Sequence, residues 1–119
     1  MEFKNVSEDE RRTIYANNKL LNGKEISVIT LHRGKACGGC IHSKDEYYCI
    51  LKGLVTVMKG DKVFVEKVPS SGTFTKGTPH GFYALEESII IEFGISPDEK
   101  KRNIKNKEML EKIDKLNKT

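Results

Sequence analysis

Apolar and polar residues alternate over much of the chain between residues 24 and 96. Several stretches there are rich in β-branched residues, as in Ile-Ser-Val-Ile-Thr-Leu at 26–31, and turn residues bound each of them. Both features are typical of short β-strands. The predicted strands span residues 26–31, 46–51, 54–58, 62–66, 73–75, 81–84 and 88–93. Short strands at regular spacing favour an antiparallel sandwich or barrel, so the sequence predicts an all-β fold.

Turn signals separate the predicted strands. The tripeptide Lys-Gly-Asp at 59–61 lies between two alternating runs and predicts a tight β-hairpin. Glycines indicate a loop over residues 34–39, and Pro-Ser-Ser-Gly at 69–72 indicates a further turn. We therefore expect the barrel to occupy residues 24–96 approximately.

The first 25 residues are polar and mixed, without a clear strand pattern. The run Ser-Glu-Asp-Glu at 7–10 indicates either a helix start or a turn. Paired asparagines at 17–18 and the Asn-Gly dipeptide at 22–23 indicate turns.

The hydrophobic period changes after residue 96. The tetrapeptide Ser-Pro-Asp-Glu at 96–99 is a typical helix start. Apolar residues then recur at helical spacing, at Ile104, Met109, Leu110, Ile113 and Leu116. This spacing predicts an amphipathic α-helix over residues 103–117, whose narrow apolar stripe lies on the barrel, covers a sheet edge or pairs with a second subunit.

Composition excludes several classes of protein for this chain of 119 residues. No stretch approaches the ~18 consecutive apolar residues of a membrane span, and the N-terminus lacks the apolar core of a secretory signal. Three cysteines are too few, and odd in number, for a disulfide framework. We therefore expect residues 1–119 to form a single cytoplasmic domain that does not bind membranes.

The net charge of +4 raises the question of nucleic-acid binding. Residues 97–119 contain eight basic and five acidic residues, so this tail alone contributes +3. No aromatic residue interleaves with the basic ones, although single-stranded nucleic acid is usually bound by aromatic stacking. We interpret the tail as a solvated helix face and expect no nucleic-acid partner.

The first candidate site residues along the chain are Cys40, His42 and Glu46. These residues are separated by even numbers of positions, so on an extended strand their side chains share one face, together with Tyr48. His80 follows a Gly-Thr-Pro turn at the start of another predicted strand, and an antiparallel sheet can bring it to the other three. A thiolate, imidazoles and a carboxylate that converge are typical of a metal site.

The same spacing resembles the first motif of the cupin superfamily, G-x5-H-x-H-x3,4-E-x6-G. The motif is matched at Gly34, His42, Glu46 and Gly53, and Cys40 stands where the first histidine is expected. The second motif, G-x5-P-x-G-x2-H-x3-N, is matched at Gly77 and His80 and departs at Pro69, Thr75 and Ala84. The resemblance covers about residues 26–95.

The resemblance implies a double-stranded β-helix, the cupin jelly-roll barrel, with a small-molecule or metal site in its mouth. The family's metal ligands carry over to Cys40, His42, Glu46 and His80. This set suits Zn²⁺ or Fe²⁺, although a cysteine thiolate argues against the redox chemistry of the family's iron sites. Cupin barrels commonly dimerise, so a homodimer is also expected.

Residues 24–84 also resemble the sugar-isomerase-like branch of the cupin superfamily. The leading functional hypothesis is therefore a metal-dependent isomerase or epimerase of a carbohydrate or a sugar nucleotide. The metal would polarise a substrate oxygen while Tyr48, Glu46 or His80 moves a proton. Two alternatives stay open: an iron-dependent dioxygenase or lyase, and a non-catalytic cupin that binds a small-molecule ligand.

Several of these residues also have simpler interpretations. Cys40 can be a small buried apolar residue, and Tyr48 can pack in the core. Cys37 and Cys40 form a Cys-x-x-Cys pair, but a redox pair or a zinc knuckle would need a helix or a second pair nearby. We expect His32 at the surface and Cys49 to face away from the site.

Overall fold

The computed structural model describes residues 2–96 and 100–102, and these residues form eleven β-strands. The strands are β1 (Lys4–Glu8), β2 (Arg12–Leu21), β3 (Lys24–Leu31), β4 (Ala36–His42), β5 (Glu46–Lys52), β6 (Leu54–Lys59), β7 (Lys62–Lys67), β8 (Ser70–Phe74), β9 (His80–Ala84), β10 (Ser88–Ile95) and β11 (Lys100–Arg102). The prediction of an all-β fold is confirmed. The predicted helix at 103–117 lies outside the described residues.

The strands form two antiparallel sheets. One sheet has six strands in the order β1-β2-β3-β10-β5-β8, and the other has five in the order β11-β4-β9-β6-β7. Consecutive strands such as β4 and β5 lie in different sheets, as expected of a jelly roll. Within the part of the chain that the structure describes, no helix is long and apolar enough to cross a membrane.

The core fills the space between the two sheets. Inner positions alternate with outer ones along the strands, so that Ile50 is buried in β5 while its neighbour Leu51 is 52% exposed. The aromatic rings of Tyr48, Phe74 and Phe82 are the largest side chains that are fully buried. This alternation is the same feature that predicted the strands from the sequence.

The prediction that the barrel begins near residue 24 missed β1 and β2. β1 is the outermost strand of its sheet and most of its residues are exposed, while β2 buries only three residues, Arg12, Ala16 and Asn17, of which one is apolar. The asparagine pair does not end β2, because Asn17 Oδ1 accepts hydrogen bonds from the backbone N–H groups of Lys19 and Leu20. The result is an irregularity in the pairing of β2 with β3, and not a turn between strands. The Asn-Gly dipeptide at 22–23 does form the turn predicted for it.

Two predicted turn segments belong mostly to strands. The predicted loop at 34–39 contains the first half of β4, and the predicted turn at 69–72 contains the start of β8. Gly38 of β4 allows close strand packing, since a Cβ on this residue would lie 2.7 Å from the Cα of Gly81 in β9. The pairing then shifts by one residue between Gly38 and Cys40, which is a β-bulge.

Candidate metal centre

Three of the predicted site residues meet at one end of the sandwich. His42 ends β4, Glu46 begins β5 and His80 begins β9. Each offers a possible ligand atom, and these atoms lie within 4.8 Å of one another. The residues are only 3–5% exposed. They form a compact cluster inside the protein.

Strand pairing explains why these residues converge. Cys40 lies directly opposite His80 across β4 and β9, so both occupy the inner face of the five-stranded sheet, and His42 follows two positions later. Glu46 begins β5, which follows β4 after a short connection and belongs to the other sheet, and it lies opposite Phe74 of β8. The cluster therefore joins the two sheets where their inner faces meet.

Hydrogen bonding orients the ring of His80. Its Nδ1 lies 3.1 Å from the carbonyl oxygen of Thr78, and its Nε2 lies 3.0 Å from Oε1 of Glu46. A carbonyl oxygen can only accept, so Nδ1 carries the hydrogen and donates it to Thr78. In a neutral ring, the lone pair of Nε2 then points towards Oε1 of Glu46. Because both atoms are acceptors, a proton or a cation must lie between them.

His42 faces the same carboxylate oxygen. Its Nε2 lies 3.5 Å from Oε1 of Glu46, and its ring centroid is 5.0 Å from that of His80. Its Nδ1 is buried, and no hydrogen-bond partner for it lies among the described residues. Buried polar atoms in native proteins are usually paired. The protein thus leaves hydrogen-bonding capacity unused at this centre.

Glu46 carries a negative charge in this cluster. Burial alone would raise the pKa of its carboxyl, but hydrogen bonds with His42, His80 and Glu92, together with the electrostatic influence of His80, outweigh burial. The pKa of Glu46 therefore lies well below its ordinary range. A buried carboxylate needs a positive partner, which protonated imidazoles or a bound metal ion can supply.

The donor set fits a divalent metal ion. Two imidazole nitrogens and one carboxylate oxygen suit Zn²⁺, Fe²⁺ or Mn²⁺. His80 also has the usual second contact of a metal-binding histidine, a hydrogen bond from its other ring nitrogen to a backbone carbonyl. The residues that would hold the metal are His42, Glu46 and His80.

Cys40 is not part of this group. It lies on the inner face by register, but it is half-buried, and among the described residues the cluster of ligand atoms within 4.8 Å consists of the other three. The bulge that precedes Cys40 changes the local direction of β4. The role of Cys40 as a fourth ligand stays a prediction.

Tyr48 lies in the core beside the cluster. It is fully buried, and its hydroxyl donates a hydrogen bond to Oε1 of Glu66 at 2.7 Å. Burial and this hydrogen bond raise the pKa of Tyr48, so the phenol keeps its proton. The catalytic role of Tyr48 stays a prediction. Its hydrogen bond to Glu66 has a structural effect, because it links β5 of one sheet to β7 of the other.

Stacked aromatic rings form one wall of the centre. The ring of Phe74 lies 4.1 Å from His80 and 4.6 Å from Tyr48, measured between centroids, and is nearly parallel to both. Lys59, which lies opposite His80 on β6, places its ammonium 5.3 Å from the ring centroid of Tyr48 and 5.6 Å from that of Phe74. The wall limits access of water to His80 from this side.

Glu92 and Lys59 belong to the surroundings of the site, and the sequence analysis missed both. Glu92 shares the parity of the buried Ile90 and interrupts an isoleucine-rich strand, which is a signal visible in the sequence. The sequence around Lys59 indicates only a hairpin turn. Its side chain faces inward because Val57, two positions earlier, does so as well.

The other residues considered from the sequence lie away from the cluster of ligand atoms. His32 is half-exposed, and its Nδ1 lies 3.4 Å from a carboxylate oxygen of Glu87. Cys37 is buried in the core, where burial raises the pKa of its thiol to about 12. Cys49 is half-buried on the outward-facing parity of β5. The three cysteines are not joined by disulfides.

A scan of the sequence against models of protein families finds no match, and neither does a search among curated proteins. Solved structures do match. A cupin superfamily protein from Desulfitobacterium hafniense is 12% identical, with a TM-score of 0.59 over 80% of this chain and 76% of its own. An oxalate decarboxylase variant from Bacillus subtilis is 16% identical, with a TM-score of 0.69 over 86% of this chain and 30% of its own. An HTH_3 family transcriptional regulator from Vibrio cholerae is 22% identical, with a TM-score of 0.64 over 75% of this chain and 53% of its own. At these identities the similarity establishes the fold.

Proposed function

This chain has the cupin fold, and we propose that it is a metal-dependent cupin that acts on a small polar molecule. The observation that carries the proposal is the buried cluster of His42, Glu46 and His80. Its ligand atoms converge on one point, one of them is a charged carboxylate, and the ring of His80 is already oriented for ligation. Oxalate decarboxylase from Bacillus subtilis has Mn(II) centres, so Mn²⁺ joins Zn²⁺ and Fe²⁺ among the metals to test.

A bound divalent metal would supply Lewis-acid polarisation of a carbonyl or hydroxyl oxygen on the ligand. The chain itself fixes the donor atoms in advance. The Thr78 carbonyl holds the His80 ring through Nδ1, and Glu46 keeps its negative charge despite burial. Phe74 stacks on His80 and excludes water from that side of the ring. Such prior ordering reduces the free-energy cost of binding.

Within this class we favour isomerisation or epimerisation of a carbohydrate or a sugar nucleotide. The support is the resemblance of residues 24–84 to the sugar-isomerase-like branch of the cupins. A redox-neutral reaction is also compatible with a cysteine near the centre, because such a reaction does not activate oxygen that would oxidise the thiol. Chelation of the metal is expected to abolish this activity and to leave the protein folded.

A non-catalytic role is the second candidate. One structural neighbour is a transcriptional regulator in which this chain matches about half of the length. In addition, the hydroxyl of Tyr48 donates its hydrogen bond to Glu66. Tyr48 is therefore poorly placed to exchange a proton with a substrate at the metal centre. A cupin that binds a metal and a ligand without turnover would fit both observations. A dioxygenase or lyase remains the third alternative.

The test of the metal site is elemental analysis of the purified protein and of His42→Ala. We expect about one equivalent of Zn, Fe or Mn in the wild type and a large loss in the variant, because one of three ligands is removed. His32→Ala is the matched control, since this histidine is half-exposed and lies outside the cluster. Equal metal content in all three proteins, or none in a folded wild type, would overturn the proposal.

A further inference from the structure

We infer that Lys59 binds an anionic group of the ligand, a carboxylate or a phosphate, beside the metal centre. The inference rests on the proposed function and deepens it, because it narrows the ligand from a small polar molecule to a small anion. It is carried by an ammonium group that the fold places next to the ligand cluster and that no acidic residue of the described chain pairs with.

Strand pairing places Lys59 at the centre. It is the last residue of β6 and lies directly opposite His80, the first residue of β9. Residues that face each other across a strand pair project to the same side of the sheet, so both side chains lie on its inner face. Val57 and Phe82, two positions further along, are paired in the same way and are buried in the core. Lys59 therefore lies at the end of the interior that holds the ligand cluster.

The ammonium of Lys59 reaches towards the other sheet. Its nitrogen lies 5.7 Å from the ring centroid of Phe64 on β7, 5.3 Å from that of Tyr48 on β5 and 5.6 Å from that of Phe74 on β8. Phe74 also stacks on His80, with 4.1 Å between their ring centroids. The ammonium and the ring of His80 are thus separated by no more than the sum of their distances to Phe74. A small molecule can contact both.

The positive charge of Lys59 has no counter-charge among the described residues. None of the ion pairs or side-chain hydrogen bonds that these residues form includes its ammonium. Glu66, which shares Tyr48 as a neighbour, is already engaged, since Oε1 accepts a hydrogen bond from Tyr48 and Oε2 accepts one from Ser70. Lys59 is only half-buried, so the three hydrogen-bond donors of its ammonium can reach a ligand.

The chemistry of this position favours an oxyanion. Cation–π contacts hold the ammonium in place but supply no negative charge. A lysine ammonium is a compact point charge that binds carboxylate and phosphate groups well. A divalent metal ion would leave a net positive charge at the centre, because Glu46 is the one charged ligand in the cluster with His42 and His80. A ligand with an anionic group would meet positive charge from both sides.

The test measures the binding of inorganic phosphate, acetate and the uncharged acetamide to the Zn²⁺-loaded protein by isothermal titration calorimetry. Lys59→Met keeps an unbranched side chain against the rings and removes the charge. We expect its affinity for phosphate or acetate to fall about 10- to 100-fold, as for the loss of a hydrogen bond to a charged group. Acetamide has no charge to attract, so its binding should not change. The anion with the larger loss distinguishes a phosphate ligand from a carboxylate ligand.

Matched variants separate a specific contact from a general effect. Lys67→Met removes the same charge from an exposed position at the far end of the same hairpin, and it should bind anions like the wild type. Lys59→Arg keeps the charge and is expected to keep anion binding. If Lys59→Met does not fold, Lys59→Gln replaces it.

Three results would overturn the inference. The first is equal anion affinity in the wild type and in Lys59→Met, or no anion binding by either. The second is an equal loss in Lys67→Met, which would indicate a general charge effect. The third is a parallel loss of acetamide binding, which would indicate that Lys59 only supports the packing of the aromatic rings.

The role of Lys59 and the proposed function can fail separately. Lys59 lies outside the ligand group of the described residues, so the metal content of Lys59→Met should equal that of the wild type. A folded wild type that binds no metal would refute the proposed function. The same titrations on the metal-free proteins would then decide on Lys59: a loss of anion affinity confined to Lys59→Met would support its role, and unchanged affinity would refute it.

Discussion

The two ends of the sandwich interior are built from the same strands but carry different chemistry. At one end, β5 and β9 begin with Glu46 and His80, which belong to the ligand cluster. Four positions later the same strands place Ile50 and Ala84 on the same inner face, and both are fully buried. Alternation decides which positions face inward at both ends. The identity of the inward residue decides whether that position serves packing or chemistry.

This difference also concerns stability. The apolar end gains free energy from every buried side chain, whereas the polar end pays for the burial of a carboxylate and two imidazoles. Their mutual contacts, and the hydrogen bond from His80 to Thr78, offset part of that cost. Variants at the two ends should therefore fail in different ways.

The largest effect on stability is expected at the apolar end. Ile50→Ala should lower the free energy of unfolding by about 2–5 kcal/mol, because the side chain of Ile50 is fully buried and its truncation leaves a cavity in the core. Urea denaturation measures the effect, and Leu51→Ala is the matched control on the exposed face of the same strand. The metal content of Ile50→Ala should equal that of the wild type. If Ile50→Ala lost metal and kept its stability, the apolar end would contribute to metal binding, which would contradict the expected division between the two ends.

Tyr48 lies on β5 between Glu46 of the polar end and Ile50 of the apolar end, and Tyr48→Phe tests to which of the two ends it belongs. The hydroxyl of Tyr48 donates to the carboxylate of Glu66, so its removal should cost about 1.5–3 kcal/mol. Metal affinity should not change, since Tyr48 is outside the ligand group. Ser70→Ala is a useful comparison, because the hydroxyl of Ser70 also donates to Glu66. If Tyr48→Phe lost metal and kept its stability, Tyr48 would belong to the site and not to the core.

The charge of Glu46 predicts a dependence of stability on pH. Its folded-state pKa lies below its ordinary value, so ionised Glu46 stabilises the fold at neutral pH, and this contribution is lost as the pH falls below about 4. The stability of the metal-free wild type, minus that of Glu46→Gln, should therefore decrease from pH ~7 to pH ~3. Glu87→Gln, at an exposed position, should show no such trend. A difference that stays constant with pH would contradict the assignment.

The smallest effect concerns the cysteines. Because burial raises the pKa of Cys37, its thiol should resist alkylation by iodoacetamide in the folded protein. Cys40 and Cys49 are half-buried and should react faster. Mass spectrometry of the native and the denatured protein gives the comparison. Rapid labelling of Cys37 in the native state would show that the interior between the sheets is open.

The sequence was sufficient for the strands that carry alternating apolar residues and for the convergence of His42, Glu46 and His80. The parity of His42 and Glu46, together with a turn before His80, placed all three on inner faces. The cupin resemblance supplied the same residues, and the fold is confirmed.

Three features of the structure could not be predicted from local patterns. β1 is an outermost strand with mostly exposed residues, and β2 beside it buries only Arg12, Ala16 and Asn17, so neither strand shows an apolar period. The contact of Glu92 with Glu46 depends on which strand lies beside β10, a long-range property. For Cys40, the bulge after Gly38 decides the local geometry, and such a one-residue shift is not visible in spacing alone.

The most direct test of the metal centre is anomalous diffraction from crystals grown with Zn²⁺ or Mn²⁺. The account predicts one strong peak, within bonding distance of Nε2 of His42, Nε2 of His80 and the carboxylate of Glu46. Data collected above and below the absorption edge would identify the metal. A peak elsewhere, or none in crystals of protein that remains folded with metal in excess, would contradict the account.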